Sequence, residues 1–188
     1  MHAAALHLPP SPVESEVARI RALLERSRFA ASLAAAESLR LQVPENRDVW
    51  YLIAVSQRYL ESLDDALATL ARLEELHPRF SRLFQERGHC LRARKDTAGA
   101  IDAYLHAVGI NAALPASWKA LQELCTAAGR EADAQAAAGH VAKLASLPAA
   151  IVTASSMLSD GEVHAAEQLV RRFLLTHADH IEGMRLLA

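Results

Sequence analysis

"RDVWYLIAVSQRYLESLDDALATLARLEELHP", residues 47–78, decides the fold because it recurs. Beneath it, "SRLFQERGHCLRARKDTAGAIDAYLHAVGINA" (81–112) and "PASWKALQELCTAAGREADAQAAAGHVAKLAS" (115–146) repeat its spacing of large and small residues. Trp50, Phe84 and Trp118 fall in register, each 34 residues from the last, and so do Ala66, Ala100 and Ala134. Pro78 and Ala112 share a third column. One step back puts Val13 at a repeat start, Ser32 in the alanine column and Pro44 in the proline column. One step forward needs a two-residue deletion near Leu147, which brings Ala154 and Ala166 into the small-residue columns. A fixed period of this kind marks supersecondary units that stack, because a single unit cannot bury its own apolar face.

Composition agrees with helices. Of 188 residues 52% are apolar but only 5% aromatic, and alanine is abundant, which favours close-packed helices over a β-sandwich. Seven glycines and seven prolines leave little room for extensive loops. A formal net charge of −2 gives no general attraction to nucleic acid or to an anionic membrane surface, so neither is expected as a partner. No stretch reaches the ~20 apolar residues that span a bilayer. The opening "MHAAALHLPPSP" has neither the cationic start nor the apolar run of a signal peptide, and residues 1–12 read as a flexible segment before the array. The expected location is cytoplasmic. Cys90 and Cys125 sit inside apolar helical patterns and read as small buried hydrophobes, against the alternatives of a bridge or a nucleophile.

The period, with a bulky residue near the start, small residues mid-helix and proline near the end, resembles the tetratricopeptide repeat (TPR). The matching residues are Trp50, Ile53, Ala54, Ala66 and Pro78; then Phe84, Gly88, Ala100, Tyr104 and Ala107; then Trp118, Leu121 and Ala134. Arg87 stands where Leu is usual and Gln122 where Gly or Ala is usual, while Glu16 and Ala150 occupy the aromatic column of the degenerate first and fifth repeats. The resemblance implies an all-α fold, a TPR-like α-hairpin solenoid forming a right-handed superhelix. Residues 13–188 are expected to form one array, with repeats starting near 13, 47, 81, 115, 147 and 181. Small residues at Gly88 and Ala100 are expected to let the two helices of a hairpin approach closely, with Trp50, Phe84 and Trp118 filling wedges between neighbouring hairpins. Ser62 to Asp65 and Ser159 to Glu162 read as capping boxes, and Gly129 suits a C′ position. Ile181, Met184, Leu187 and Ala188 match the start of a sixth repeat, with Met184 as its bulky residue, so the chain is expected to be a piece of a longer polypeptide. The apolar residues Met184 and Leu187 at that end predict end-to-end pairing of two copies.

Catalytic signatures are sparse. The sequence contains no HExxH, no G-x-x-x-x-G-K-[ST], no G-x-G-x-x-G and no G-x-S-x-G. His177 and His180 beside Asp179 fit either a weak metal site or an ordinary loop, and the loop is preferred. Adjacent His89 and Cys90 point about 100° apart on a helix, poor geometry for a nucleophile and its base. No catalytic residue, metal or cofactor is expected.

The TPR resemblance implies a groove lined by the first helix of each repeat. Its pattern transfers to Tyr51, Arg58 and Tyr59, to Arg82, Gln85, His89 and Arg92, and to Lys119 and Glu123. Arg58, Arg82, Arg92 and Lys119 are expected to make one basic wall with Tyr51, Tyr59 and His89, suited to an acidic peptide of a partner protein. The charged clamp of chaperone-binding TPRs is absent: Tyr51 and Val55, or Gln85 and His89, stand at its positions. A narrower likeness covers residues 80–188. "RLFQERGHCLRARKDTAGAIDAYLHAVGINAALPASWKAL" (82–121) and "MLSDGEVHAAEQLVRRFLLTHADHIEGMRLLA" (157–188) resemble bacterial proteins in which TPRs precede a sulfotransferase domain. That implies an alternative role as the non-catalytic docking arm of a sulfotransferase.

Overall fold

A computed structural model describes residues 11–188, all of whose regular structure is helical. The chain divides into two units, residues 1–76 and 77–188.

Unit 1 contains α1 (Pro12–Glu25), α2 (Phe29–Arg40), α3 (Arg47–Tyr59) and α4 (Leu63–Leu76). Ser11 and Pro12, assigned by the sequence to the flexible segment, open α1 instead. Ser11 Oγ accepts from the Glu14 amide at 3.2 Å, the Glu14 carboxylate accepts from the Ser11 amide at 2.7 Å, and Pro12 supplies a preset φ where no amide donor is needed. The remaining residues of that segment lie outside the described ones. Asn46 caps α3 through the Val49 amide at 3.1 Å. Val17, Ile20, Ala36, Leu39, Val49, Leu52 and Ile53 form the core, drawn from α1, α2 and α3. Ser32, in the alanine column, is fully buried, with its Oγ 3.5 Å from the Ile20 carbonyl and 3.0 Å from Ser56 Oγ. A small hydroxyl at that position therefore ties three helices together where a larger side chain would hold them apart.

Unit 2 contains α5 (Ser81–Ala93), α6 (Thr97–Ile110), α7 (Pro115–Ala127), α8 (Glu131–Ala145), α9 (Ala149–Ser159), α10 (Val163–Leu174) and the short α11 (Ile181–Arg185). Tyr104, fully buried on α6, lies against Gly88 on α5 so closely that a Cβ at Gly88 would stand 2.7 Å from the ring. The close approach expected at Gly88 is thus made to Tyr104, whose hydroxyl also reaches His89 Nδ1 at 2.7 Å. Ala100, Ile101, Tyr104, Leu121, Cys125, Ala134 and Ala137 continue the core through α6, α7 and α8. Cys90 and Cys125 are buried, as the apolar pattern around them predicts.

The repeat shows in the backbone. Ser27, Glu61, Lys95, Gly129 and Gly161 all have positive φ, one just beyond each of α1, α3, α5, α7 and α9, at spacings of 34, 34, 34 and 32 residues. Each is the left-handed residue that turns the chain after the first helix of a hairpin. Gly129 is the one the sequence singles out. The Ser159 to Glu162 capping box does not form: Ser159 is the last residue of α9 and bonds back to the Ser155 carbonyl, while Glu162 precedes α10 without a side-chain cap.

The three aromatic positions match in pairs, Trp50 with Trp118 and Phe84 with Trp118. Trp50 and Trp118 each donate the indole N–H to the carbonyl six residues earlier, Pro44 at 2.7 Å and Ala112 at 2.9 Å. Phe84 stacks on His106 and Trp118 on His140, each at 3.8 Å between ring centroids. These stacks lie inside the α5/α6 and α7/α8 hairpins, so Phe84 and Trp118 brace their own hairpins, while Trp50 and Trp118 tie down the connection before their helices, where the sequence predicts wedges between hairpins. Met184 is half exposed and fills no such site; Gly183 and Leu186 pack inward in its place, Gly183 against Leu174 and Leu186 against the Ala154, Ala166 and Val170 cluster.

Candidate functional site

In unit 1, the Arg58 guanidinium lies 4.1 Å over the Tyr59 ring, which stacks on Phe29 of α2 at 4.5 Å between centroids and an interplanar angle of 5°. Tyr51 is half buried on the same helix. Arg58 and Tyr59 are therefore engaged with the unit's own rings, the cation over a quadrupole that attracts it.

Unit 2 holds the other six residues and brings three of them together. Arg82 and Gln85 of α5 and Lys119 of α7 line a cleft of about 700 Å³. Its walls are apolar: Ala113, Leu114, Pro115 and Ala116 from the α6–α7 connection and the start of α7, Val141, Leu144 and Ala145 from α8, and Leu147, Ala149 and Val152 from the α8–α9 junction. Thr153 and Ser156 complete the lining. Ala116, Lys119, Ala145, Ala149 and Thr153 are exposed, so the cleft opens between α7 on one side and α8–α9 on the other. The sequence offers no direct signal for it, since the wall residues come from helix ends and connections rather than from the groove-facing pattern.

One edge of the cleft is fixed by a buried polar cluster. Asp160 Oδ1 accepts from the Ser81 amide at 3.0 Å and from Ser81 Oγ at 2.6 Å. Asn111 Nδ2 donates to Ser81 Oγ at 3.1 Å and to Ser156 Oγ at 2.9 Å. Arg82 Nε lies 3.5 Å from Asp160 Oδ2, and Arg82 Nη1 lies 3.9 Å from Glu162 Oε1. Arg82 is thus a partner of a buried carboxylate and not an open cation of a basic wall. Such a cluster is costly to leave half satisfied, so it specifies how α9 sits against α5.

The other expected groove residues also have partners within the unit. Arg92 Nη2 pairs with Glu123 Oε2 at 3.0 Å across α5 and α7. His89 bonds Tyr104, and Gln85 Oε1 accepts from Ser117 Oγ at 3.1 Å. The expected continuous basic wall is therefore corrected: Arg58 is held on an aromatic ring, while Arg82 and Arg92 are held by carboxylates. Lys119 lies outside those pairs, exposed at the cleft. His177 stacks on Phe173 at 4.3 Å, and His180 Nδ1 accepts from the Gly183 amide at 3.1 Å, capping α11. Among the described residues, no three His, Cys, Asp or Glu side chains gather as metal ligands, and no single helix is long and apolar enough to cross a membrane.

Solved structures resemble the chain at low identity. TTC0263, a thermophilic TPR protein of Thermus thermophilus, matches with a TM-score of 0.63 and 20% identity over 72% of this chain and 75% of that one. MamA protein matches with a TM-score of 0.59 and 14% identity, covering 86% and 90%. A structure of Naa15/Naa10 bound to HypK-THB matches with a TM-score of 0.65 and 15% identity over 88% of this chain but 26% of that one. No protein-family model and no curated protein matches the sequence. With the matched hairpin turns and ring surroundings, these likenesses make the fold an all-helical, TPR-like solenoid.

Proposed function

We propose that the chain is a protein-interaction scaffold and that the unit 2 cleft is where a segment of a partner protein docks. What supports this most is the convergence of Arg82, Gln85 and Lys119 on one open, apolar cleft. Sites for ligand-sized groups occupy roughly 300–1,000 Å³ and combine apolar walls with a few placed polar groups, and this cleft has both features. Its volume of about 700 Å³ admits a few side chains rather than a whole helix. Panning a phage-displayed random-peptide library on the protein tests the reading. Peptides that enrich should lose binding to Ala145→Trp and to Ala149→Trp, which fill the cleft from its exposed α8–α9 rim, while circular dichroism stays unchanged. Enriched peptides that bind both variants as well as the unaltered protein would place docking elsewhere.

The second reading is that the array is the non-catalytic docking arm of a sulfotransferase, supported by the character of residues 82–121 and 157–188. The reading frame that encodes the chain tests it. A downstream α/β domain with a phosphate-binding loop would support it, and a frame without one would reject it.

A further inference from the structure

The chemistry of the docked segment follows from which hydrogen-bonding groups the cleft has left to offer. Among the described residues, no Asp or Glu lines it. Gln85 spends its oxygen on Ser117 Oγ, which leaves the amide NH2 as the end of that side chain still available for a ligand. Arg82 is committed to Asp160 and Glu162, so its charge is already balanced. Lys119, exposed on the rim and outside those ion pairs, brings a full positive charge. Thr153, exposed at the rim, adds a hydroxyl, while the Ser156 hydroxyl is buried and already bonded to Asn111. The cleft is therefore apolar in its walls, rich in donors at its edge, and carries one uncommitted charge.

We propose that this cleft selects a partner segment in which one apolar side chain lies next to a single Asp or Glu, the side-chain carboxylate meeting Lys119 and the Gln85 amide while the apolar group enters between Leu144 and Val152. The proposal rests on the docking reading above and adds the charge and number of the groups recognised. It departs from the basic wall expected of the first helices, because one cation rather than four does the recognising. An internal side chain is favoured over a chain terminus because the cleft is open along its rim, with exposed Ala116 and Ala149 on opposite sides, so a continuous segment can cross it.

The test uses three capped peptides, acetyl-Leu-Leu-Glu-Leu-amide, its Gln isostere and its Lys counterpart, titrated into the full chain labelled with nitrogen-15. Amide shifts are read at Ala116, Lys119, Val152 and Thr153. The Glu peptide should move these signals and bind about tenfold more tightly than the Gln peptide, the worth of one charge-assisted hydrogen bond. The Lys peptide should bind least. Lys119→Met, at an exposed position, should abolish the preference for Glu over Gln while leaving the remaining spectrum in place. Equal binding of Glu and Gln peptides, with shifts still centred on the cleft, overturns the charge assignment but keeps the docking site. Preference for the Lys peptide overturns it as well. Shifts absent from the cleft with all three peptides would remove both the assignment and the docking reading beneath it. The terminal amides exclude a C-terminal carboxylate as the group recognised, and a gain on replacing the amide of the Gln peptide with a free acid would transfer the assignment to a chain end.

Discussion

Asp160 and Ser81, 79 residues apart, share a short polar contact across unit 2: one carboxylate oxygen receives both the amide and the hydroxyl of the serine. The Asp160 side chain is fully screened from solvent, and Asn111 and Arg82 approach its second oxygen. This cluster sets the α5–α9 edge along which the cleft is built.

Asp160→Ala strands two buried donors of Ser81, its amide and its hydroxyl, and removes the carboxylate that faces Arg82. The expected loss is about 3 kcal/mol of unfolding free energy, within the range for breaking a buried charged network. Asp160→Asn keeps an acceptor for Ser81 and should lose less. Urea denaturation of both variants checks the order, and equal losses would show that a neutral acceptor cannot stand in for the carboxylate charge.

Ion pairs in this unit should not be equal in weight. Arg92 and Glu123 are each about half exposed, at 48% and 45%, so Arg92→Ala should change stability by less than about 1 kcal/mol. Arg82 faces the wholly buried carboxylate of Asp160, and Arg82→Ala should cost about 1–3 kcal/mol. Thermal melts of the two variants decide this.

Glycines supply a matched pair of substitutions. Gly88→Ala places a Cβ 2.7 Å from Tyr104, a fully buried ring whose hydroxyl is tied to His89, and should destabilise by about 1–3 kcal/mol despite alanine's better helix propensity. Gly139→Ala, in the exposed middle of α8 with nothing within 4 Å of the added carbon, should stabilise by about 0.5–1 kcal/mol. Opposite signs in denaturant midpoints are the expected outcome.

Burial pushes the Cys125 thiol up from its ordinary range, against the pull of the nearby Arg130 charge. The folded chain therefore holds this proton where the unfolded chain releases it. Its contribution to stability is complete below the unfolded thiol's pKa and is lost as pH rises through the higher folded value. Ellman's reagent should react with Cys125 and with buried Cys90 only on the timescale of unfolding. Reaction at the rate of a free thiol would mean that the α5–α8 core opens readily.

The fold is legible in the sequence because its determinants are local and periodic. Trp50, Phe84 and Trp118 mark the hairpins by side-chain size, and Ser32 and Ala66 report close packing in the same way. The turns are less legible. Ser27, Glu61 and Lys95 adopt the same left-handed conformation as Gly129, yet nothing about Ser, Glu or Lys announces a positive φ. Ser159 misleads because a serine three residues before an acid fits a helix start, although here it closes the last turn of α9. The site is legible in part. The groove pattern picks Arg82, Gln85 and Lys119, but only the folded chain brings Asp160 and Glu162 to Arg82 and the α8–α9 junction to the cleft.

Photo-crosslinking tests the docking account most directly. Benzoylphenylalanine in place of Ala116, on the cleft rim, is compared with the same group in place of Ala136, on the exposed face of α8. A peptide enriched by panning should form an adduct from position 116 and not from position 136. An adduct from 136 alone, with none from 116, would contradict the account of unit 2 as a cleft that holds a partner segment.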